Sequence, residues 1–118
     1  MAEKSGIPII DQFKFNAIKD PEELVKIAVS HKNPDVCKAA IDKLIKMDLI
    51  EERKALLICS IAKETDKESV ANHAFGYCSV SKLSDDMKAR MIKKSIDKIK
   101  FESLRKEMEK WLEEYERG

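Results

Sequence analysis

The chain predicts an all-α fold, built as a short stack of three antiparallel helix pairs. Three observations predict it. Only three glycines and three prolines punctuate 118 residues, and 38% of the chain is charged and rich in Lys and Glu, which suits helices better than strands. Helix-start chemistry occurs twice in quick succession, at Asp20-Pro21-Glu22-Glu23 and at Asn33-Pro34-Asp35. Apolar positions then recur at a fixed offset of 34 residues, as stacked helical units require.

Taken in order, residues 1–19 read as an N-terminal tail with an apolar anchor at Ile7-Pro8-Ile9-Ile10. Pro8 stops a helix from running through that anchor. A short capping helix over Asp11–Ile18 would use Phe13 or Phe15 and Ile18 to cover one open end of the core. Residues 20–118 form the single repeat domain. Asp20 caps a helix over 21–31, Pro21 takes its first position, and Glu23 completes a capping box. Leu24, Ile27 and Ala28 supply its apolar stripe. The second start, at Asn33, opens a helix whose inward side carries Val36, Cys37, Ala40, Ile41, Leu44 and Met47. Two starts so close together leave room only for a tight turn, and hence an antiparallel pair.

Asp48 and Glu51 read as a further capping box, opening a helix over 49–63 through Leu56, Leu57, Ile58, Ile61 and Ala62. Asp66 would start a fourth helix over 67–82, with Val70, Ala74, Phe75 and Cys78 inward. Gly76 in its interior costs about 1 kcal/mol of propensity against Ala, which points to a close helix contact there. Ser84 caps a fifth helix over 85–99 on Met87, Met91, Ile92, Ile96 and Ile99. The last, over 101–116, uses Leu104, Met108, Trp111, Leu112 and Tyr115. No Gly or Pro separates these two, but the apolar spacing slips between Ile99 and Leu104, which favours a break over one long helix.

Composition narrows the function classes. A length of 118 residues suits one domain, and 43% hydrophobic residues suffice for a modest core. A net charge of +1 gives no global attraction to nucleic acid or to an anionic membrane. No run approaches the roughly 18 apolar residues of a membrane span, and the N-terminus lacks a continuous apolar signal core. Three cysteines, an odd number, on apolar-patterned segments suit reduced thiols in a cytoplasmic protein.

The offset of 34 aligns Leu24 with Ile58 and Ile92, and Ala28 with Ala62 and Ile96. In the second helices it aligns Val36 with Val70 and Leu104, Ala40 with Ala74 and Met108, and Leu44 with Cys78 and Leu112. The register decays in the third unit, where Ile41 and Phe75 give way to Glu109. A terminal repeat must show a polar outer face, so decay at one end is expected. The stretch Asn33-Pro-Asp-Val-Cys-Lys-Ala-Ala-Ile-Asp-Lys-Leu44 resembles the second helix of a HEAT repeat, including the type found in phycobilisome-lyase-like proteins. Asp20-Pro-Glu-Glu-Leu-Val-Lys-Ile-Ala28 is similar to that family's first helix. The likeness is best over 20–47, weaker over 51–80 and slight beyond 84. One departure is Cys37, which stands where the family commonly has Arg. The resemblance implies a short, armadillo-like α-solenoid and says little of activity.

Candidate chemistry is sparse. Cys37 and Cys78 fall on expected core faces and Cys59 on a flank, without a Cys-x-x-Cys pair or zinc-type spacing; they read as inert thiols. His31 sits at a helix C-terminus, where the dipole favours a protonated ring. His73 lies one turn before Tyr77, with no sign of an orienting group or oxyanion site. The carboxylates cap helices or alternate with lysines. No enzyme, cofactor or metal is expected.

Two surfaces remain. Lys43, Tyr77 and Trp111 are 34 residues apart, and His73 lies one turn earlier on the same flank. Second helices line the concave face in HEAT-like solenoids, so Lys43, His73, Tyr77 and Trp111 form a candidate ridge for a protein partner, Tyr and Trp being favoured interface anchors. The bland alternative is that Tyr77 and Trp111 plug the edge of the core. The second surface is basic, with Lys82, Lys88, Arg90, Lys93, Lys94, Lys98 and Lys100 against Asp85, Asp86 and Asp97. Lys88, Arg90, Lys93, Lys94 and Lys98 could contact phosphates of a nucleic acid, unless the glutamates of the last helix compensate them. The expected function is therefore a non-catalytic scaffold or adaptor for another protein, as a monomer or weak homo-oligomer. A small nucleic-acid-binding accessory is the alternative.

Overall fold

Helix α1 (Pro21–Ser30) begins where the Asp20 carboxylate accepts the Glu22 amide at 3.0 Å, with Pro21 in the first turn. Helix α2 (Pro34–Lys46) begins the same way, Asn33 Oδ1 accepting the Asp35 amide at 2.9 Å. Such caps satisfy amides that have no partner inside the helix. Helices α3 (Glu51–Glu64), α4 (Glu68–Val80), α5 (Asp85–Ser95) and α6 (Glu102–Arg117) follow, with a 3-10 turn over Ile96–Lys98 after α5. The computed structural model describes residues 17–117, and no strand occurs among them. The expected anchor at Ile7–Ile10 and most of the short helix over 11–18 lie outside the described residues. Ile18 is described, and it rests half-buried against the core.

Several expected boundaries are corrected. Asp48 caps nothing: α3 starts after Ile50, which offers no capping side chain, and Lys54 Nζ ties the new helix to the Ile45 carbonyl at 2.7 Å. Asp66 is likewise no cap. Helix α4 opens after Lys67, while Asp66 pairs with Lys100 at 2.5 Å. The fifth helix is shorter than expected and passes into the 3-10 turn, so the break before the last helix is real. Ser84 does cap α5, accepting the Met87 amide at 3.2 Å.

The helix boundaries repeat at the same interval as the apolar pattern. The C-cap residues His31 (φ −67°, ψ 143°), Thr65 (φ −68°, ψ 145°) and Ile99 (φ −72°, ψ 128°) are each 34 residues after the last and share one extended conformation. The C-caps Met47 and Ser81, and the N-caps Ile50 and Ser84, keep the same interval. The side-chain device repeats as well. His31 Nδ1 accepts the amide of Asn33 at 3.0 Å, and Thr65 Oγ1 accepts that of Lys67 at 3.1 Å.

Packing follows one order. Helix α1 lies against α2 and α3 against α4; α1 also meets α3, α2 meets α4, α3 meets α5, and α5 with its 3-10 turn meets α6. Among the described residues the core runs through the six helices, with Leu24, Ile41, Leu44, Ile58, Ile61, Val70, Ile99, Leu104 and Met108 essentially inaccessible. Burying each aliphatic side chain of this size is worth about 1.5–3 kcal/mol. Alanines 28, 40, 55, 62, 71, 74 and 89 are buried between them. Leu56, expected inside, is 54% exposed. The inward stripe of α3 is Ala55, Ile58, Cys59 and Ala62, the i, i+3, i+4, i+7 positions of one helix face.

Candidate functional site

The ridge residues meet different surroundings. His73, on α4, donates Nε2–H to the Asp42 carboxylate on α2 at 2.7 Å, a part-exposed pair. Tyr77, one turn on, is half-buried against the core, and its hydroxyl donates to the Glu51 carboxylate at the start of α3. That bond, with partial burial, raises the phenol above its ordinary range; burial contributes most. Trp111, on α6, is also half-buried against the core and stacks on Tyr115, with ring centroids 5.6 Å apart and planes 13° from parallel. The Tyr115 hydroxyl donates to Asp86 on α5. Lys43 is partly exposed on α2, next in sequence to Asp42. Helices α2 and α4 touch, which brings the Asp42–Lys43 turn of α2 beside His73, while Trp111 stands with Tyr115 on the last helix.

The basic stretch is divided among several tasks. Lys88 Nζ donates to the Ser79 carbonyl at 3.1 Å and Lys93 pairs with Glu116 of α6 at 3.6 Å. Lys100 reaches the Glu64 carbonyl at 3.2 Å besides Asp66. Lys98 is exposed on the 3-10 turn. Arg90 and Lys94 turn to a different feature, a cavity of about 270 Å3 between α3 and α5. Its walls include Leu56, Met87 and Met91, its charged residues are Lys63, Arg90, Lys94 and Glu52, and Cys59 is part of its lining.

Sequence spacing gave no hint of what Cys59 does. It is not on a flank: it is 6% exposed on the inward stripe of α3, and its sulfur lies 3.2 Å from that of Cys78 on α4. Either sulfur can donate in this contact; Lys63 near Cys59 favours negative charge there, which makes Cys78 the donor when Cys59 ionises. The bond from Cys78 holds the Cys59 thiol below its ordinary value against the cost of burial, with Lys63 assisting. The Ser95 hydroxyl borders the cavity, but its single proton goes to the Met91 carbonyl at 2.7 Å. Cys78 moves the opposite way, because it gives its proton to Cys59 and is buried. The two residues are nineteen positions apart, with no short motif between them; only knowledge of which faces of α3 and α4 meet would have paired them.

Cys37 provides a contrast within the same chain. It is fully buried on α2, and its thiol donates towards the carbonyls of His31 at 3.3 Å and Ile27 at 3.6 Å. Burial raises it above the ordinary thiol value. Among the described residues no cluster of three metal-ligating side chains forms, and no helix is long and apolar enough to cross a membrane. No family model, curated protein or solved structure matches the chain.

Proposed function

We propose that the chain is a short HEAT-like α-solenoid of antiparallel helix pairs, serving as a non-catalytic, cytoplasmic scaffold or adaptor for another protein. One observation carries the reading: residues one period apart, or within one position of it, touch. Lys100 bonds Asp66, 34 positions away, and Ser103 bonds the Glu68 carboxylate, 35 positions away. Equivalent places on successive units lie side by side when units stack by translation, as in a solenoid. The contacts of α1 with α3, α2 with α4 and α3 with α5, together with the repeated C-cap geometry, support the same arrangement. In such a stack the second helices would present Lys43, His73, Tyr77 and Trp111 to the partner.

The test is affinity capture from native lysate with wild-type bait beside a Lys43→Glu/His73→Glu variant. The variant should lose the proteins that the wild type retains while keeping its helical ellipticity at the capture temperature. Equal capture by both baits removes the ridge, and no specific capture by either removes the scaffold reading. A labelled oligonucleotide at low salt separates the nucleic-acid alternative, which predicts binding that falls steeply as salt rises and weakens in Arg90→Gln/Lys94→Gln.

A further inference from the structure

We propose that Cys59 and Cys78 form a peroxide-oxidisable dithiol, in which Cys59 is the attacking thiol, Cys78 the resolving thiol, and the cavity between α3 and α5 the entrance. Geometry carries it. The sulfurs are already 3.2 Å apart on packed helices, so a modest change of side-chain rotamer brings them to bonding distance. Only Cys59 of the two borders the cavity, whose volume of about 270 Å3 admits a small hydroperoxide. Lys63, Arg90 and Lys94 line the same space against one carboxylate, Glu52, and the excess of positive charge favours a thiolate and the oxyanion that leaves it.

The chemistry balances with one hydroperoxide per dithiol. The Cys59 thiolate attacks one peroxide oxygen; a sulfur–oxygen bond forms, the oxygen–oxygen bond breaks, and hydroxide departs. That hydroxide takes up the proton that Cys59 released on ionising, making water. Cys78 then attacks the sulfenic sulfur of Cys59; the sulfur–oxygen bond breaks, and the Cys78 proton leaves with the departing oxygen as a second water. Two sulfurs have lost two electrons, and the peroxide has gained them. The disulfide joins α3 to α4, and reduction by an external thiol restores the original state.

The experiment uses the full-length reduced protein and hydrogen peroxide. The intact mass should fall by two hydrogen atoms, a peptide map should link Cys59 to Cys78, and Cys37 should remain alkylatable. In Cys78→Ser, dimedone should trap the sulfenic acid on Cys59, and Cys59 should react faster than Cys37 by about tenfold or more, as an ionised thiol outpaces a buried protonated one. Lys63→Gln should slow Cys59 several-fold and leave Cys37 unaffected. Equal rates at Cys37 and Cys59, first modification at Cys78, or three thiols that all survive peroxide would overturn the proposal. If Cys78→Ser does not fold, the wild-type peptide map decides.

Discussion

At Gly76 an added Cβ would meet nothing within 4 Å, so the glycine is not there to let another helix approach. The close contact expected from its position in α4 is absent, and the residue is exposed. Its cost is then purely that of a flexible residue within a helix. Gly76→Ala should stabilise the protein by about 0.5–1 kcal/mol, seen as a higher urea midpoint at unchanged slope. Residue identity explains this outcome poorly, because a helical glycine looks the same whether it faces a neighbour or solvent. The same blindness hid Cys59. Leu56 and Leu57 dominate that part of the sequence, yet Leu56 is outward and the small Ala55 is inward. With the stripe read through the leucines, Cys59 fell on a flank. Read through Ala55, it sits beside Ile58 in the core.

The elements were legible wherever a capping side chain is used. Asp20, Asn33 and Ser84 all accept a first-turn amide, and all three starts were readable from residue type and the apolar run that follows. Asp48 and Asp66 misled because an acidic residue before a helix has other uses, here a turn position and a long-range ion pair. The two helices they seemed to open begin after Ile50 and Lys67, neither of which forms a side-chain cap. Asn33→Ala should therefore cost about 0.5–2 kcal/mol, whereas Asp48→Ala should change stability by less than about 0.5 kcal/mol. Parallel chemical denaturation of the two variants checks both. A loss at Asp48 as large as that at Asn33 would restore it as a cap.

Across the whole molecule, the 34-residue interval was visible first in apolar positions and recurs in the backbone of the turns. What apolar spacing could not reveal is the polar stitching between distant segments, because those partners are far apart in sequence and exposed. The Lys100–Asp66 pair is one such stitch. The hydrogen bond from Lys100, and then its charge, hold the Asp66 carboxyl below its reference value of 3.8. A depressed carboxylate contributes stability above the unfolded value and loses it as pH falls through the lower folded value. Lys100→Gln should therefore be slightly less stable than wild type near neutrality, with the difference fading below 3.8; melting temperatures across that range check it. A difference that persists in acid would mean the lysine acts through the Glu64 carbonyl instead. The stacked Trp111–Tyr115 pair has an optical consequence. This is the chain's one tryptophan, and it sits on α6, which rests on α5 and its 3-10 turn. Emission excited at the indole band therefore reports the last helix alone, while far-ultraviolet ellipticity averages over every helix. In the proposed solenoid, units that hold only their neighbours separate from an end, so the emission change on heating should precede the loss of ellipticity. Superimposed curves would mean that the stack melts as one cooperative body. The protein thus carries its own lamp on its last helix, and the interval between two light signals measures how firmly that helix is coupled to the rest.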